Sequence, residues 1–225
     1  MKTILITGAG SGLGKELALL FSKQGFHLLL AGRTVEKLTE VKQAIEDSSG
    51  KADILSLDIR NNQDISNKLQ EIRQRYDLFG LVNNAGIGHF GPFEKMTERQ
   101  ISDMVETNVL GTIRMTQAIL PVLQKKGNGQ IINIISTAGL RGKVNEAVYV
   151  ASKFAVRGFT ESLQKEYEGS GIQFKAVYMG GMDTPFWDES THVSDKSRFR
   201  TPNEVAEIII HQLDQSEIII ESKNS

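Results

Sequence analysis

The 225-residue chain contains no cysteine, which excludes disulfides and thiolate metal sites. An excess of charge of one sign is missing too. Against 27 Asp and Glu stand 26 Lys and Arg, for a formal net charge of -1, so the overall electrostatics give no argument for nucleic acid or an anionic membrane surface. No apolar run is long enough to span a bilayer, and the start Met1-Lys-Thr-Ile-Leu-Ile-Thr-Gly8 is too short for a signal peptide. Without another address, the expected location is the cytoplasm. The four histidines, His27, His89, His192 and His211, are scattered without ligand spacing, so no catalytic metal is expected. Prolines number only four. One of them, Pro121, falls inside the longest helical pattern, where it is expected to bend or restart the helix.

What is present is an ordinary globular composition, 40% hydrophobic, in a chain long enough to bury a large core. Short β-branched apolar runs at 3–7, 27–31, 52–57, 78–83, 130–136, 172–178 and 217–220 alternate with amphipathic stretches near 12–24, 34–47, 61–75, 97–126, 147–168 and 202–214. The runs are continuously apolar, which suits strands covered on both faces, as in a parallel sheet. Alternation from end to end predicts one α/β domain over 1–225: a doubly wound parallel sheet of about seven strands with helices on both faces. Residues 180–201 lack clear periodicity and are expected to form a substrate loop.

The first strand runs straight into Thr7-Gly-Ala-Gly-Ser-Gly-Leu-Gly14, which then opens a helix. In a doubly wound, Rossmann-type sheet this is where a dinucleotide's pyrophosphate sits, on unpaired N–H groups at a helix N-terminus. Gly8, Gly12 and Gly14, with Gly10, Ser11 and Leu13 between them, form a T-G-x-x-x-G-x-G pattern. A tight glycine turn without a ligand is the plainer alternative. The position between an N-terminal strand and a helix favours nucleotide binding. The second strand ends Leu30-Ala31-Gly32-Arg33-Thr34, without the acid that NAD-selective sites place there. Arg33 suits a 2′-phosphate, with Thr34 as a hydroxyl donor, so NADP(H) is expected over NAD(H).

Tyr149-Val-Ala-Ser-Lys153 places a phenol and an ammonium four residues apart, on one helix face. A fixed positive charge favours the phenolate and is expected to lower a pKa that is ordinarily about 10. Ser136 stands at the end of a central strand, where ligands bind in open α/β sheets.

On these residues the chain resembles the short-chain dehydrogenase/reductase family over essentially its whole length. Thr7 to Gly14 is similar to that family's cofactor loop, and Asn83-Asn84-Ala85-Gly86 to its N-N-A-G segment beside the adenosine ribose. Asp58, followed by Ile59, matches the position that contacts adenine. The resemblance implies a tetrad of Asn108, Ser136, Tyr149 and Lys153. In it Tyr149 is general acid and base, Ser136 holds the substrate oxygen, and Lys153 stabilises the phenolate and binds the nicotinamide ribose. Asn108 helps hold a water that reprotonates the site. It implies an oxidoreductase passing a hydride between NADP(H) and a small carbonyl or alcohol substrate, assembled as a homodimer or homotetramer through the helices at 97–126 and 147–168. A catalytically idle NADP(H)-binding redox sensor is the alternative, although a sensor needs no tetrad.

The chain departs from the family after the sixth strand. Gly180 and Thr184 match, but Met179 stands where proline is usual, which implies a looser turn. Met182 and Thr184 are expected to contact the nicotinamide carboxamide. Phe186 and Trp187, and opposite them His89, Phe90 and Phe93, are either packed on the scaffold or walls of the pocket. The short tail after 217–220 is expected to leave that pocket open.

Overall fold

The computed structural model describes residues 1–188, 192–193 and 195–223. Seven strands, β1 (Lys2–Thr7), β2 (His27–Gly32), β3 (Lys51–Ser56), β4 (Asp77–Asn83), β5 (Gly129–Ile134), β6 (Ile172–Met179) and β7 (Glu217–Ile220), form one sheet in the order β3-β2-β1-β4-β5-β6-β7. Every neighbouring pair is parallel. The helices are α1 (Gly12–Lys23), α2 (Val35–Asp47), α3 (Asn62–Arg75), α4 (Glu98–Met104), α5 (Thr112–Lys126), α6 (Ala147–Glu166) and α7 (Pro202–His211).

Strand side chains alternate between two cores, as a sheet covered on both faces requires. Ile4 and Ile6 pack with Leu17 and Phe21 of α1, Leu38 and Ile45 of α2 and Ile209 of α7. Leu5 points the other way, to Ile65 of α3, Ile119 and Leu123 of α5 and Leu163 of α6. The same switch recurs in β2, where Leu28 and Leu30 face one core and Leu29 and Ala31 the other. Each fully buried Leu or Ile contributes roughly 1.5–3 kcal/mol, so both layers are firmly attached. Capping boxes start α4, at Thr97 and Gln100, and α7, at Thr201 and Glu204 with Pro202 in the first turn.

The strand order reverses between β1 and β4, which opens a crevice at their carboxyl ends. Thr7 stitches that crevice: its Oγ1 accepts the N–H groups of Asn84 at 3.0 Å and Ala85 at 3.1 Å.

Pro121 does not restart the helix expected at 97–126; α5 continues through it. The irregularity lies upstream, where a π-helical segment (Val105–Gly111) separates α4 from α5. Its cause is tertiary. The Asn108 side chain is tied to Ile87, its Oδ1 accepting the Ile87 N–H and its Nδ2 donating to the Ile87 carbonyl, both at 2.9 Å. Single-turn widenings of this kind concentrate at functional sites.

Candidate active site

The glycine loop is shaped for an anion. A Cβ on Gly14 would lie 2.3 Å from the Gly8 carbonyl oxygen, so only glycine lets α1 start this close to β1. Gly8 has φ +66°, and a Cβ there would meet Ala85 and Asn84 at 3.0 Å. The Asn84 amide fastens the loop from below, donating to the Thr7 and Gly8 carbonyls at 3.0 and 3.2 Å. Ser11 precedes α1 without a side-chain cap, and the first turn holds no acid. Leu13 is buried in the core beneath. The helix N–H groups and positive dipole end therefore face outward without a competing carboxylate, which fits a pyrophosphate.

The other expected cofactor residues follow β2, β3 and β6. Arg33 is exposed, directly after β2, and Thr34 precedes α2. Lys37, which sequence reasoning passed over, packs its Cβ against Gly10, 3.0 Å from where a Cβ there would stand. Asp58 is held by Arg60, whose Nη2 donates to Oδ2 at 2.7 Å and Nε to Oδ1 at 3.0 Å. That pairing keeps the Asp58 carboxyl below its usual range. An open cleft of about 590 Å³ lies beside this pair, bounded also by Asp103 and Glu106. Ile59 is buried, its side chain close against Gly111. From the opposite side, Thr184 reaches over Gly12, its Cγ2 3.2 Å from the place of a Cβ. Met182, buried, bridges to Arg200.

The expected tetrad comes together at the ends of β4 and β5. Lys153 and Tyr149 are each only 6% exposed on α6. Gly139 lets α6 approach, since a Cβ there would be 3.2 Å from the Lys153 carbonyl oxygen. Gly86 marks where Asn108 and Lys153 converge, 3.3 Å from Asn108 Oδ1 and 3.6 Å from Lys153 Nζ to the place of its Cβ. Ser136 lies just beyond β5 with φ 140° and ψ 154°, a region that side-chain-bearing residues rarely occupy. Its Oγ accepts the Ala138 N–H at 3.1 Å.

Ser152, which the sequence reading also missed, ties the group together. Its hydroxyl donates to the Tyr149 carbonyl at 2.7 Å and accepts from Asn108 Nδ2 at 3.0 Å. Its place one turn after Tyr149, on the same face, is the signal that was available. Asn108 thus works as a structural clamp through its side chain. Beneath the site a buried ladder links strands and helices: Asn83 Nδ2 donates to Asn133 Oδ1 at 2.8 Å and Thr116 Oγ1 at 3.0 Å, and Asn133 Nδ2 to Thr160 Oγ1 at 2.8 Å.

The electrostatics correct one expectation. The Tyr149 phenol is pushed up, not down: burial disfavours the phenolate, the neighbouring Ser136 hydroxyl pulls the other way, and the charge of Glu146 adds to the rise. Burial also lowers Lys153 to about 8. Lys153 Nζ sits 5.6 Å from the Tyr149 ring centre and donates to the Ile134 carbonyl at 3.3 Å, so desolvation outweighs its attraction for a phenolate.

Aromatic rings cover the phenol. Phe90 meets it edge-on at 5.4 Å and Phe186 at 5.9 Å, and Trp187 stacks on Phe90 at 5.2 Å. The Trp187 indole N–H donates to the Met182 carbonyl at 3.0 Å. Phe90 and Phe186 pack on Tyr149 and on each other, and Trp187 packs on both of them, as the scaffold reading expects. Phe93 is 63% exposed and stands outside the group. His89 donates its backbone N–H to Met104 Sδ at 3.3 Å. Met179 packs against the core on the α1 side. Of the expected loop at 180–201, positions 189–191 and 194 lie outside the described residues. Among the described residues no group of His, Asp and Glu could hold a metal ion, and no helix is long and apolar enough to cross a membrane.

A parallel sheet with a glycine-lined crevice and a Ser-Tyr-Lys-Asn cluster beside it defines a dinucleotide-dependent oxidoreductase of the short-chain type. Residues 2–195 match the short chain dehydrogenase family, and the chain belongs to it. It is 32% identical over 218 residues to the 3-oxoacyl-(acyl-carrier-protein) reductase FabG of Thermotoga maritima, covering 93% of this chain and 89% of that one. The short-chain dehydrogenase of Sphingobium yanoikuyae in complex with NADPH superposes with a TM-score of 0.89 at 26% identity, over 98% of this chain and 87% of that one. A variant of actinorhodin polyketide ketoreductase with NADPH gives 0.88 at 29% identity, over 98% and 95%.

Proposed function

We propose that this chain is an NADP(H)-dependent carbonyl reductase, also running as an alcohol dehydrogenase, with Tyr149 as its general acid and base. The observation that carries the reading is the convergence of Ser136, Tyr149, Lys153 and Asn108 beside the bare glycine cradle. NADPH supplies the hydride when bound. Tyr149 gives its proton to the carbonyl oxygen, and Ser136 donates a hydrogen bond to the same atom. Lys153, turned toward Gly86 and the crevice, stabilises the phenolate and holds the nicotinamide ribose. Asn108 keeps the Ile87 backbone and Ser152 in place, and helps hold a water through which the phenolate is reprotonated. Arg33, Thr34 and Lys37 support NADP over NAD, and the NADPH complexes of the two structural neighbours support the same choice. Gly8, Gly10, Ser11, Gly12, Leu13 and Gly14 would cradle the pyrophosphate, Asp58 and Ile59 the adenine, Asn84 the ribose side, and Met182 and Thr184 the carboxamide.

A wall of Phe90, Phe186 and Trp187 beside the phenol supports an apolar substrate. Two relatives are by name a 3-oxoacyl reductase and a polyketide ketoreductase, which makes a keto group on an acyl chain the first to try. Association as a homodimer or homotetramer belongs to the same proposal, supported by Val105 and Phe154, 39% and 42% exposed on the helices involved. A redox sensor without chemistry has no use for the buried Tyr149 and Lys153. The test is a panel of 3-oxoacyl, cyclic and aryl ketones with NADPH and with NADH, and Tyr149→Phe as the blank. Reduction of at least one ketone class with NADPH above the blank is expected. No NADPH oxidation above the blank for any class would favour the sensor.

A further inference from the structure

Glu146 is a carboxylate only 7% exposed, placed just before α6 and three residues before Tyr149. A buried carboxylate of this kind needs a partner. The partner comes from the segment after β6: Nε2 of His192 lies 3.1 Å from Glu146 Oε1. The His192 ring stacks on Phe90, with centroids 4.9 Å and planes 15° apart, and Phe90 in turn meets the Tyr149 ring at 5.4 Å. Acid, imidazole, phenyl and phenol thus form one continuous chain around the proton-transfer residue.

Neither end of that chain has a part in the proton transfer set out above, yet both bear on it. A negative charge on Glu146 opposes the phenolate of Tyr149. A proton on His192 Nε2, turned toward Oε1, draws that charge away. Against Tyr149 the Ile87 to Phe90 turn brings Ile87 and Phe90, α4 brings Met104, the turn after β5 brings Ala138, and the segment after β6 brings Phe186. Among the described residues the titratable or charged groups nearby are Lys153 on α6, Glu146, His192, and His89 in the turn, whose described contact is through its backbone N–H.

We propose that His192 is a positioning residue that offsets the charge of Glu146 and thereby sets the pH range over which Tyr149 exchanges its proton. The inference rests on Tyr149 being the general acid and base. It makes Glu146 and His192 a matched pair: the acid without the histidine hinders the site, and the loss of both is milder than the loss of the histidine alone.

The experiment is the pH profile of kcat/KM for alcohol oxidation with NADP⁺ in the full chain, for Glu146→Gln, His192→Gln and the double variant. His192→Phe, which keeps the stack on Phe90 and lacks the N–H, stands in if His192→Gln does not fold. In either His192 variant the low-pH limb is expected to move up by about one unit, a roughly tenfold loss below the midpoint. In Glu146→Gln it moves down, and the double variant follows Glu146→Gln. NADP⁺ affinity stays within about threefold throughout, since neither residue touches the cradle. Profiles that overlay the wild type, or a loss of kcat in the His192 variants with the midpoint unmoved, would overturn the proposal. Activity in Tyr149→Phe on the same alcohol would instead overturn the reading beneath it.

Discussion

The ammonium of Lys153 lies 5.6 Å from the centre of the Tyr149 ring, and the two side chains are buried together. Each makes charge on the other easier to hold, while burial makes it harder on both. In this structure burial wins, which is why the phenol is raised and the ammonium lowered. The site therefore carries a stability cost in return for a proton held away from bulk water.

That cost is measurable at Lys153. Its pKa falls from 10.5 in the unfolded chain to about 8 in the fold. Below pH 8 both states hold the proton, and the full penalty for burying the charge is present. From pH 8 upward the fold has released a proton that the unfolded chain still binds, so stability rises with pH until tyrosines of the unfolded chain ionise near 10. Lys153→Met is expected to be more stable than the wild type at pH 7 by about 1–3 kcal/mol, to lack the rise between pH 8 and 10, and to lose turnover. Urea unfolding at pH 7 and pH 9.5 checks it.

Ser136 holds its unusual backbone, φ 140°, beside the phenol. Residues with side chains adopt such conformations at a cost of about 1–3 kcal/mol. Ser136→Gly is expected to match or exceed wild-type stability, offset in part by the roughly 0.5–1 kcal/mol of added unfolded-state entropy. Ser136→Ala keeps the strain and gains nothing. Both lose the hydroxyl, and both are expected to lower kcat by about 10²-fold. Parallel thermal melts and turnover separate the two effects.

On the proposed reading Arg33 recognises the 2′-phosphate of NADP(H). Arg33→Ala is expected to raise KM for NADPH about tenfold, as loss of one exposed charge-assisted contact would, and to leave KM for NADH within about twofold. Equal losses with both cofactors would mean that Arg33 does not recognise the 2′-phosphate.

The sequence was most legible where the physics is local. The seven apolar runs became the seven strands within a residue or two, because the central ones are buried on both faces and even the edge strands β3 and β7 keep apolar composition. Gly8, Gly12 and Gly14 were legible because a side chain at Gly14 would strike the Gly8 backbone and positive φ at Gly8 and Gly12 favours glycine. The π-helical turn at 105–111 stayed hidden because it depends on Asn108 gripping Ile87, a contact across 21 positions. Pro121 was expected to bend or restart its helix, and α5 runs through it without a restart. The direction of the Tyr149 pKa was misjudged because the spacing to Lys153 is visible in the sequence and burial is not. The pairing of Glu146 with His192 spans 46 positions and had no local sign at all.

Proton transfer by Tyr149 is tested most directly by Tyr149→Phe, assayed for NADPH binding and for ketone turnover in one preparation. The phenyl ring keeps the packing against Phe90 and Phe186 and removes only the hydroxyl. NADPH affinity within about threefold of wild type, with kcat lower by at least about 10²–10⁴-fold, is the expected result. Turnover above about a tenth of wild type, with the cofactor bound normally, would contradict the account.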